Sequence, residues 1–269
     1  MHRFEDARLL TGGGRYVEDV RPADALVMRV LRSPSANGRI ATLEVDDARA
    51  LPGVAAVLTA AELSELGVGP MTALSPAAYS DGTPMAEPRR PVLAEGDVKY
   101  VGQPVAAVIA ESEAAADDAL EAILLDIDEV DSVTDPERAF EGAVQLWPDV
   151  PGNVAIDWDK GNRAETDAAF ASAAHVIELT VRHPRLAIQP IETRGCIAAY
   201  AADSGHYTLT TPSQGVMSLK AAMASYLGVG PEKMRVVTED VGGSFAVKIW
   251  PYPEQVLVLA ASRVTGRTV

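Results

Sequence analysis

The chain has 269 residues with 23 Lys and Arg against 38 Asp and Glu, and the resulting charge of −15 excludes nucleic acid as an expected partner, because a phosphate backbone would be repelled. A composition of 48% hydrophobic and 23% charged residues is that of a globular protein, and the length suggests about two domains. No apolar run reaches the roughly 18 residues of a membrane span, and Met1 to Arg8 lacks the apolar centre of a signal peptide, so a soluble, cytoplasmic protein is expected.

Apolar runs from Ala25 to Leu31, Ile40 to Val45 and Val54 to Leu58, broken by Ser33-Pro34 and a short polar segment, predict strand, strand, short helix, strand. The stretch from Gly67 to Pro91 is rich in Pro, Gly and small polar residues and is longer than a usual connection. It reads as an ordered excursion or a partner-facing loop. Val105 to Ala110 then predicts a buried strand, Ala114 to Leu120 a helix and Ala122 to Ile127 a strand, together a small α+β domain. Pro136, Pro148, Pro151 and Gly152 mark a linker. Beyond it, Thr166 to Ala174 looks helical and His175 to Val181 extended. Cys196 to Ala201 and Tyr207 to Thr211 flank a turn at Asp203-Ser204-Gly205 and predict a hairpin. Ser213 is read as the N-cap of a helix carrying Val216, Leu219, Met223, Tyr226 and Leu227, with Gly228 closing it. Met234 to Thr238 is the next strand, Gly242-Gly243 breaks it, and Pro253 to Arg263 is a last helix. Gly266 ends that helix and the final residues read as the opening of a strand, so the second region is expected to be incomplete.

Four segments invite chemical readings. Gly12-Gly13-Gly14 suggests a phosphate loop, but no helix follows it, and a plain turn is expected. Nine carboxylates between Glu111 and Asp131 suggest calcium, yet no glycine turn separates them, so a solvated face is expected. His183, Arg185, Glu192 and Arg194 lie among prolines, either lining a pocket or ordering the loop through an ion pair of Glu192 with Arg194 or Arg185. Ser213-Gln214-Gly215, at a helix start, and Val241-Gly242-Gly243-Ser244-Phe245-Ala246-Val247-Lys248 both offer backbone N–H groups to an anionic or oxo ligand. On the residues alone, an ordinary turn and cap is the expected account. One cysteine, Cys196, and four histidines form no zinc or iron–sulfur pattern, so no metal ligand is expected from protein side chains.

Several motifs occur in the order of one known family. Leu10-Thr11-Gly12-Gly13-Gly14-Arg15-Tyr16, Leu31-Arg32-Ser33-Pro34, Ala50-Leu51-Pro52-Gly53-Val54 and Tyr100-Val101-Gly102-Gln103-Pro104-Val105-Ala106 resemble signatures of an a/b hammerhead domain. Pro190-Ile191-Glu192-Thr193-Arg194-Gly195 resembles a Pro-Met-Glu-Pro-Arg segment. Ser213-Gln214 is similar to a cofactor-facing glutamine site, and Gly242 to Lys248 to a Gly-Gly-Gly-Phe-Gly-x-Lys loop. The family is that of the molybdenum hydroxylases: the molybdopterin-binding large subunit of xanthine dehydrogenase, aldehyde oxidase and aerobic carbon monoxide dehydrogenase.

The resemblance implies an α+β protein, with a hammerhead domain at residues 1–135 and the beginning of a mixed α/β molybdopterin-binding domain at 150–269. It implies that Gln214 is catalytic, hydrogen-bonding an oxo ligand of molybdenum. Gly242, Gly243, Ser244, Phe245 and Ala246 would line the cofactor with it. The cofactor would be molybdopterin, in its cytosine dinucleotide form, with the metal held by the pterin. Partners would be an iron–sulfur subunit, an FAD subunit, the remainder of the large subunit and a small-molecule substrate. The activity would be hydroxylation of an aldehyde or small heterocycle, with a glutamate base outside this sequence, or oxidation of carbon monoxide in a copper-using variant. Ile249 follows Lys248 where purine-oxidising members carry a substrate-binding glutamate, and Ser244 and Ala246 replace loop glycines. The competing expectation is a non-catalytic hammerhead docking module, and the isolated chain is expected to be inactive.

Overall fold

The computed structural model describes residues 3–73, 76–142 and 144–269. Met1 and His2, and Leu74 and Ser75 within the predicted excursion, lie outside the described residues. The strands are β1 (Val27–Arg32), β2 (Gly38–Glu44), β3 (Val54–Leu58), β4 (Asp97–Val98), β5 (Pro104–Ala110), β6 (Leu124–Glu129), β7 (Ile197–Ala201), β8 (His206–Thr210) and β9 (Met234–Val237). The α-helices are α1 (Asp6–Leu9), α2 (Asp46–Ala50), α3 (Ala60–Glu65), α4 (Glu113–Glu121), α5 (Pro136–Phe140), α6 (Arg163–Ser172), α7 (Val216–Tyr226) and α8 (Pro253–Thr265).

Among the described residues these strands form three sheets of three. In the first, β5 runs antiparallel between β1 and β3, pairing Val108 with Arg29 on one side and Val57 on the other. Every residue of β5 is buried, which suits its unbroken Val, Ala and Ile run to a strand covered on both faces. Helix α4 covers one face. Ser112 caps it by accepting from the Ala115 N–H at 3.2 Å, and Ala116 and Ala119 point into the core. Its outward carboxylates Glu113 and Asp117 hold Arg29 at 2.9 and 3.0 Å. The second sheet has order β4-β2-β6, with Ile40 opposite Ile127. Helix α3, which periodicity alone did not predict, follows from Thr59 and Glu62 acting as a reciprocal cap.

The excursion at 67–91 is pinned rather than free. Met71 bridges Arg90, the Gly69 N–H donates to the Tyr226 carbonyl at 2.7 Å, and the Tyr226 hydroxyl donates to the Thr72 carbonyl at 3.1 Å. In the third sheet β7 and β8 form the predicted hairpin, with Tyr200 opposite Tyr207, and β9 lies parallel to β8 after the α7 crossover.

Helix α8 ties the two halves together. Its residues from Gln255 to Ser262 are all buried, as expected of a helix that is apolar on nearly every side. Val256 to Ala261 join one apolar cluster with Leu58, Ala107 and Ile109 of the first sheet and Tyr207 and Leu209 of the third. The backbone of Val269 exchanges hydrogen bonds with Ala198, and the Leu26 N–H donates to the Thr268 carbonyl at 2.8 Å.

One predicted element differs in kind. Residues 175–181, expected to be extended, lie outside every helix and strand of the described residues and are exposed throughout.

Candidate cofactor site

Strand β9 ends at Val237, and the chain then turns through the glycine-rich loop back against the segment that precedes α7. The Thr211 N–H donates to the Val237 carbonyl at 3.0 Å, and the Gln214 N–H donates to the Lys248 carbonyl at 3.1 Å. The Ser244 hydroxyl donates to Gln214 Oε1 at 2.5 Å and accepts from the Lys248 N–H at 3.1 Å. The two segments singled out in the sequence therefore meet, and their meeting places the Gln214 amide beside the loop backbone. Gln214 Nε2 makes no hydrogen bond among the described residues and stays available as a donor.

The expected role of Ser213 needs correction. The helix begins at Val216 with Gly215 as N-cap, and Ser213 Oγ instead accepts from the Gly215 N–H at 3.0 Å. The Ser213–Gly215 hydrogen bond closes a separate turn before the chain becomes helical. Gln214 thus stands ahead of the helix, not within it.

Beneath the loop lies a buried ion pair. Glu192 Oε2 accepts from Lys248 Nζ at 2.7 Å and from the Gly242 N–H at 2.7 Å, while Oε1 accepts from the Val17 N–H at 3.3 Å. The lysine and glutamate side chains are only 1% and 6% exposed. Such a pair holds only where further donors satisfy the carboxylate, as the two N–H groups do here. The predicted pairing of Glu192 with Arg194 or Arg185 is not formed. Lys248 arrives from 56 residues away, a long-range partner that local sequence could not reveal. Arg194 instead stacks its guanidinium 3.6 Å from the Tyr252 ring centre. His183 and Arg185 lie exposed on the preceding stretch.

Close approach explains the first glycine of the loop. A Cβ on Gly242 would sit 2.5 Å from the Glu192 Cβ. Gly243 adopts a φ of 96°, but the next two positive values, 48° at Phe245 and 70° at Ala246, fall on residues with side chains. Ala246 thus carries a left-handed backbone that glycine would take more readily, at a cost on the order of 1 kcal/mol. The Phe245 side chain is 86% exposed at the crest of this turn.

Sequence reasoning missed the strap that supports the loop from outside. The Arg8 guanidinium and the Arg15 N–H both donate to the Asp240 carboxylate, the latter at 2.8 Å, and the Asp240 N–H donates to the Arg15 carbonyl at 3.0 Å. The Arg8 hydrogen bond, helped by that N–H, pulls the Asp240 pKa down to about 2. The only signal was an arginine on each side of the glycine run, which itself ends α1: Gly12 has a φ of 79°, and the Gly13 N–H donates to the Arg8 carbonyl at 2.8 Å. On the inner side a cavity of about 170 Å³ is lined by Arg194, Cys196, Thr211, Lys248, Tyr252 and Glu254. Burial pushes the Cys196 thiol up to about 12, so it offers no thiolate there.

Among the described residues no group of three His, Cys, Asp or Glu is placed to hold a metal. The loop presents a side-chain amide and an open left-handed turn. Residues 11–131 match the a/b hammerhead domain of aldehyde oxidase and xanthine dehydrogenase, and residues 146–269 match the molybdopterin cofactor-binding domain. The chain belongs to the molybdenum hydroxylase family. It is 36% identical to the carbon monoxide dehydrogenase large chain of Hydrogenophaga pseudoflava, with 98% of this chain and 33% of that relative covered. The nicotine 6-hydroxylase large subunit of Paenarthrobacter nicotinovorans is 34% identical, with 97% and 31% covered. Among solved structures, quinoline 2-oxidoreductase from Pseudomonas putida 86 superposes with a TM-score of 0.88 at 34% identity, covering all of this chain and 33% of that one. A copper- and molybdenum-containing carbon monoxide dehydrogenase superposes at 0.87 with 31% identity, covering all of this chain and 34% of that one. The chain spans about a third of the length of these molybdenum hydroxylase relatives. No helix of the described residues is long and apolar enough to cross a membrane.

Proposed function

We propose that this chain forms the amino-terminal third of a molybdopterin-dependent oxidoreductase large subunit that hydroxylates an aldehyde or a small heterocycle, or oxidises carbon monoxide. Residues 1–135 form the hammerhead domain and 150–269 open the molybdopterin-binding domain. The observation that carries this reading is the Gln214–Ser244 hydrogen bond beside the turn at 243–246, which fixes an amide donor and a bare backbone at one place.

In this reading Gln214 is the catalytic residue. Its Oε1 is engaged by Ser244, so its Nε2 is oriented outward as a preorganised donor to an oxo ligand. Gly242, Gly243, Ser244, Phe245 and Ala246 bring backbone against the pterin, and Glu192 with Lys248 fixes the height of that backbone from below. When bound, the molybdenum cofactor supplies the two-electron oxidation. This chain supplies the orientation. The cofactor is assigned as the cytosine dinucleotide form, with electrons leaving through iron–sulfur and FAD subunits in the cytoplasm. Ile249 offers no hydrogen bond to a purine, and purines are therefore disfavoured as substrates.

The test is purification, through a tag on this chain, of whatever assembly it forms in cells. About one molybdenum and one releasable cytidine monophosphate per chain are expected by elemental analysis and acid hydrolysis. An assembly containing neither would overturn the reading.

A further inference from the structure

Residues 175–181 carry the sequence pattern of a strand but lie in no sheet among the described residues. Ile177, Leu179 and Val181 fall at every second position, which an extended backbone would set on one face, and are 90, 80 and 60% exposed. Glu178, Thr180 and Arg182 fill the alternate positions, with Val176 the exception, and Arg182 donates to Glu137 at 2.8 Å. None of the backbone N–H groups from 174 to 191 donates to another described backbone group. Alternation of apolar and polar residues with unpaired backbone is the signature of an edge that a further strand completes. The segment runs on through exposed Leu186 and Ile188 to Glu192, under the cofactor loop.

We propose that residues 175–181 pair as a β-strand with the rest of the large subunit, the two thirds of its relatives that lies outside the matched stretch. This rests on the functional reading above. The occupant follows from size. Superpositions at TM-scores of 0.88 and 0.87 cover the whole of this chain yet only 33% and 34% of each solved relative, which hold far more chain with which such an arm would pair. Strand addition recognises the partner through main-chain hydrogen bonds, and burial of Ile177, Leu179 and Val181 fixes the register.

Hydrogen exchange measured on the 269-residue chain alone and on the assembly purified through its tag tests the pairing. In the chain alone, amides 176–182 are expected to exchange as an unprotected peptide, and in the assembly to slow by about 100-fold or more. Leu179→Asp and Leu179→Pro should leave the melting temperature of the lone chain within about 1 °C, because the side chain touches no core, yet lower recovery of the assembly by about 10-fold or more. Glu178→Ala, on the polar face, should leave recovery unchanged. If a molybdenum-bearing assembly forms while 176–182 still exchanges freely, the strand pairing is wrong and the functional reading stands. If no molybdenum-bearing assembly forms, the functional reading fails and the strand loses its occupant with it. A lone chain that sediments as a dimer with protected 176–182 would assign the edge to a second copy and overturn the proposal.

Discussion

Strand β5 and residues 175–181 are written in similar letters and end in opposite states. Both are rich in β-branched and aliphatic residues, although 175–181 also carries His175 and Glu178, yet β5 is buried along its whole length between two strands and under a helix, whereas 175–181 is exposed along its whole length and joins no sheet of the described residues. Strand propensity measures how well a residue fits a pleated, covered surface, and the cover has to come from elsewhere. In the first sheet this chain supplies it. For the arm it does not.

The sharpest way to break that comparison is to place the same charge in both. Val108→Asp sets a carboxylate with no partner at the centre of β5, where an unpaired buried charge costs more than about 4 kcal/mol and should leave the chain unfolded. Leu179→Asp, in the lone chain, should change stability by less than about 0.5 kcal/mol. Urea unfolding followed by circular dichroism measures both. Equal effects would mean that the arm is packed in solution and that its exposure is not a property of the lone chain.

A second contrast concerns charge pairs rather than apolar strands. Removing the carboxylate in Glu192→Ala leaves Lys248 buried and uncompensated, with an expected loss of about 3–5 kcal/mol. Replacing both, as Glu192→Ala with Lys248→Met, should recover a good part of it. Glu137 pairs with Arg182 where both side chains are well over half exposed, and Glu137→Ala should cost under about 1 kcal/mol. Denaturant midpoints that rank the two single variants the other way would show that the Glu192 pair is hydrated in solution.

This ranking also marks what the residues revealed on their own. The first region was readable because its strands and α4 carry their own periodicity and caps, and the Asp203-Ser204-Gly205 turn disclosed the β7–β8 hairpin in the same way. The meeting of Gln214 with the glycine loop was visible only as a spacing, to which family resemblance added a meaning. What stayed hidden was non-local. Lys248 reaching Glu192, Arg8 reaching Asp240 and α8 fusing two sheets into one core join residues more than 50 positions apart, and no window of sequence holds both ends. The cap assigned to Ser213 failed because its hydroxyl accepts from the Gly215 N–H in a separate turn, and the helix starts only at Val216.

At the proposed site, folding should be separable from chemistry. Gln214 is exposed and holds only Ser244 with its side chain, so Gln214→Ala should leave the melting temperature of the lone chain near wild type. If Gln214 has the proposed role, the same change in a molybdenum-loaded assembly removes a preorganised donor, and turnover per molybdenum should fall by an amount equivalent to about 2–4 kcal/mol. Unchanged turnover at unchanged molybdenum content would reduce Gln214 to a turn residue.

The smallest effect tests whether the loop is strained before any cover arrives. Ala246 sits at a φ of 70°, where its Cβ crowds the backbone, and glycine would adopt this conformation without that penalty. Glycine also gives the unfolded chain more freedom, which opposes the gain, so Ala246→Gly should stabilise the lone chain by no more than about 1 kcal/mol. Gly243 at 96° is the internal reference: Gly243→Ala should destabilise, both because of its φ and because the new Cβ would lie 3.2 Å from Pro190. Opposite signs for the two substitutions, read from urea midpoints at constant slope, would show that the left-handed turn exists in the chain by itself. If Ala246→Gly destabilises instead, the lone chain does not hold the turn, and the loop, like the arm, acquires its conformation only when the rest of the large subunit is in place.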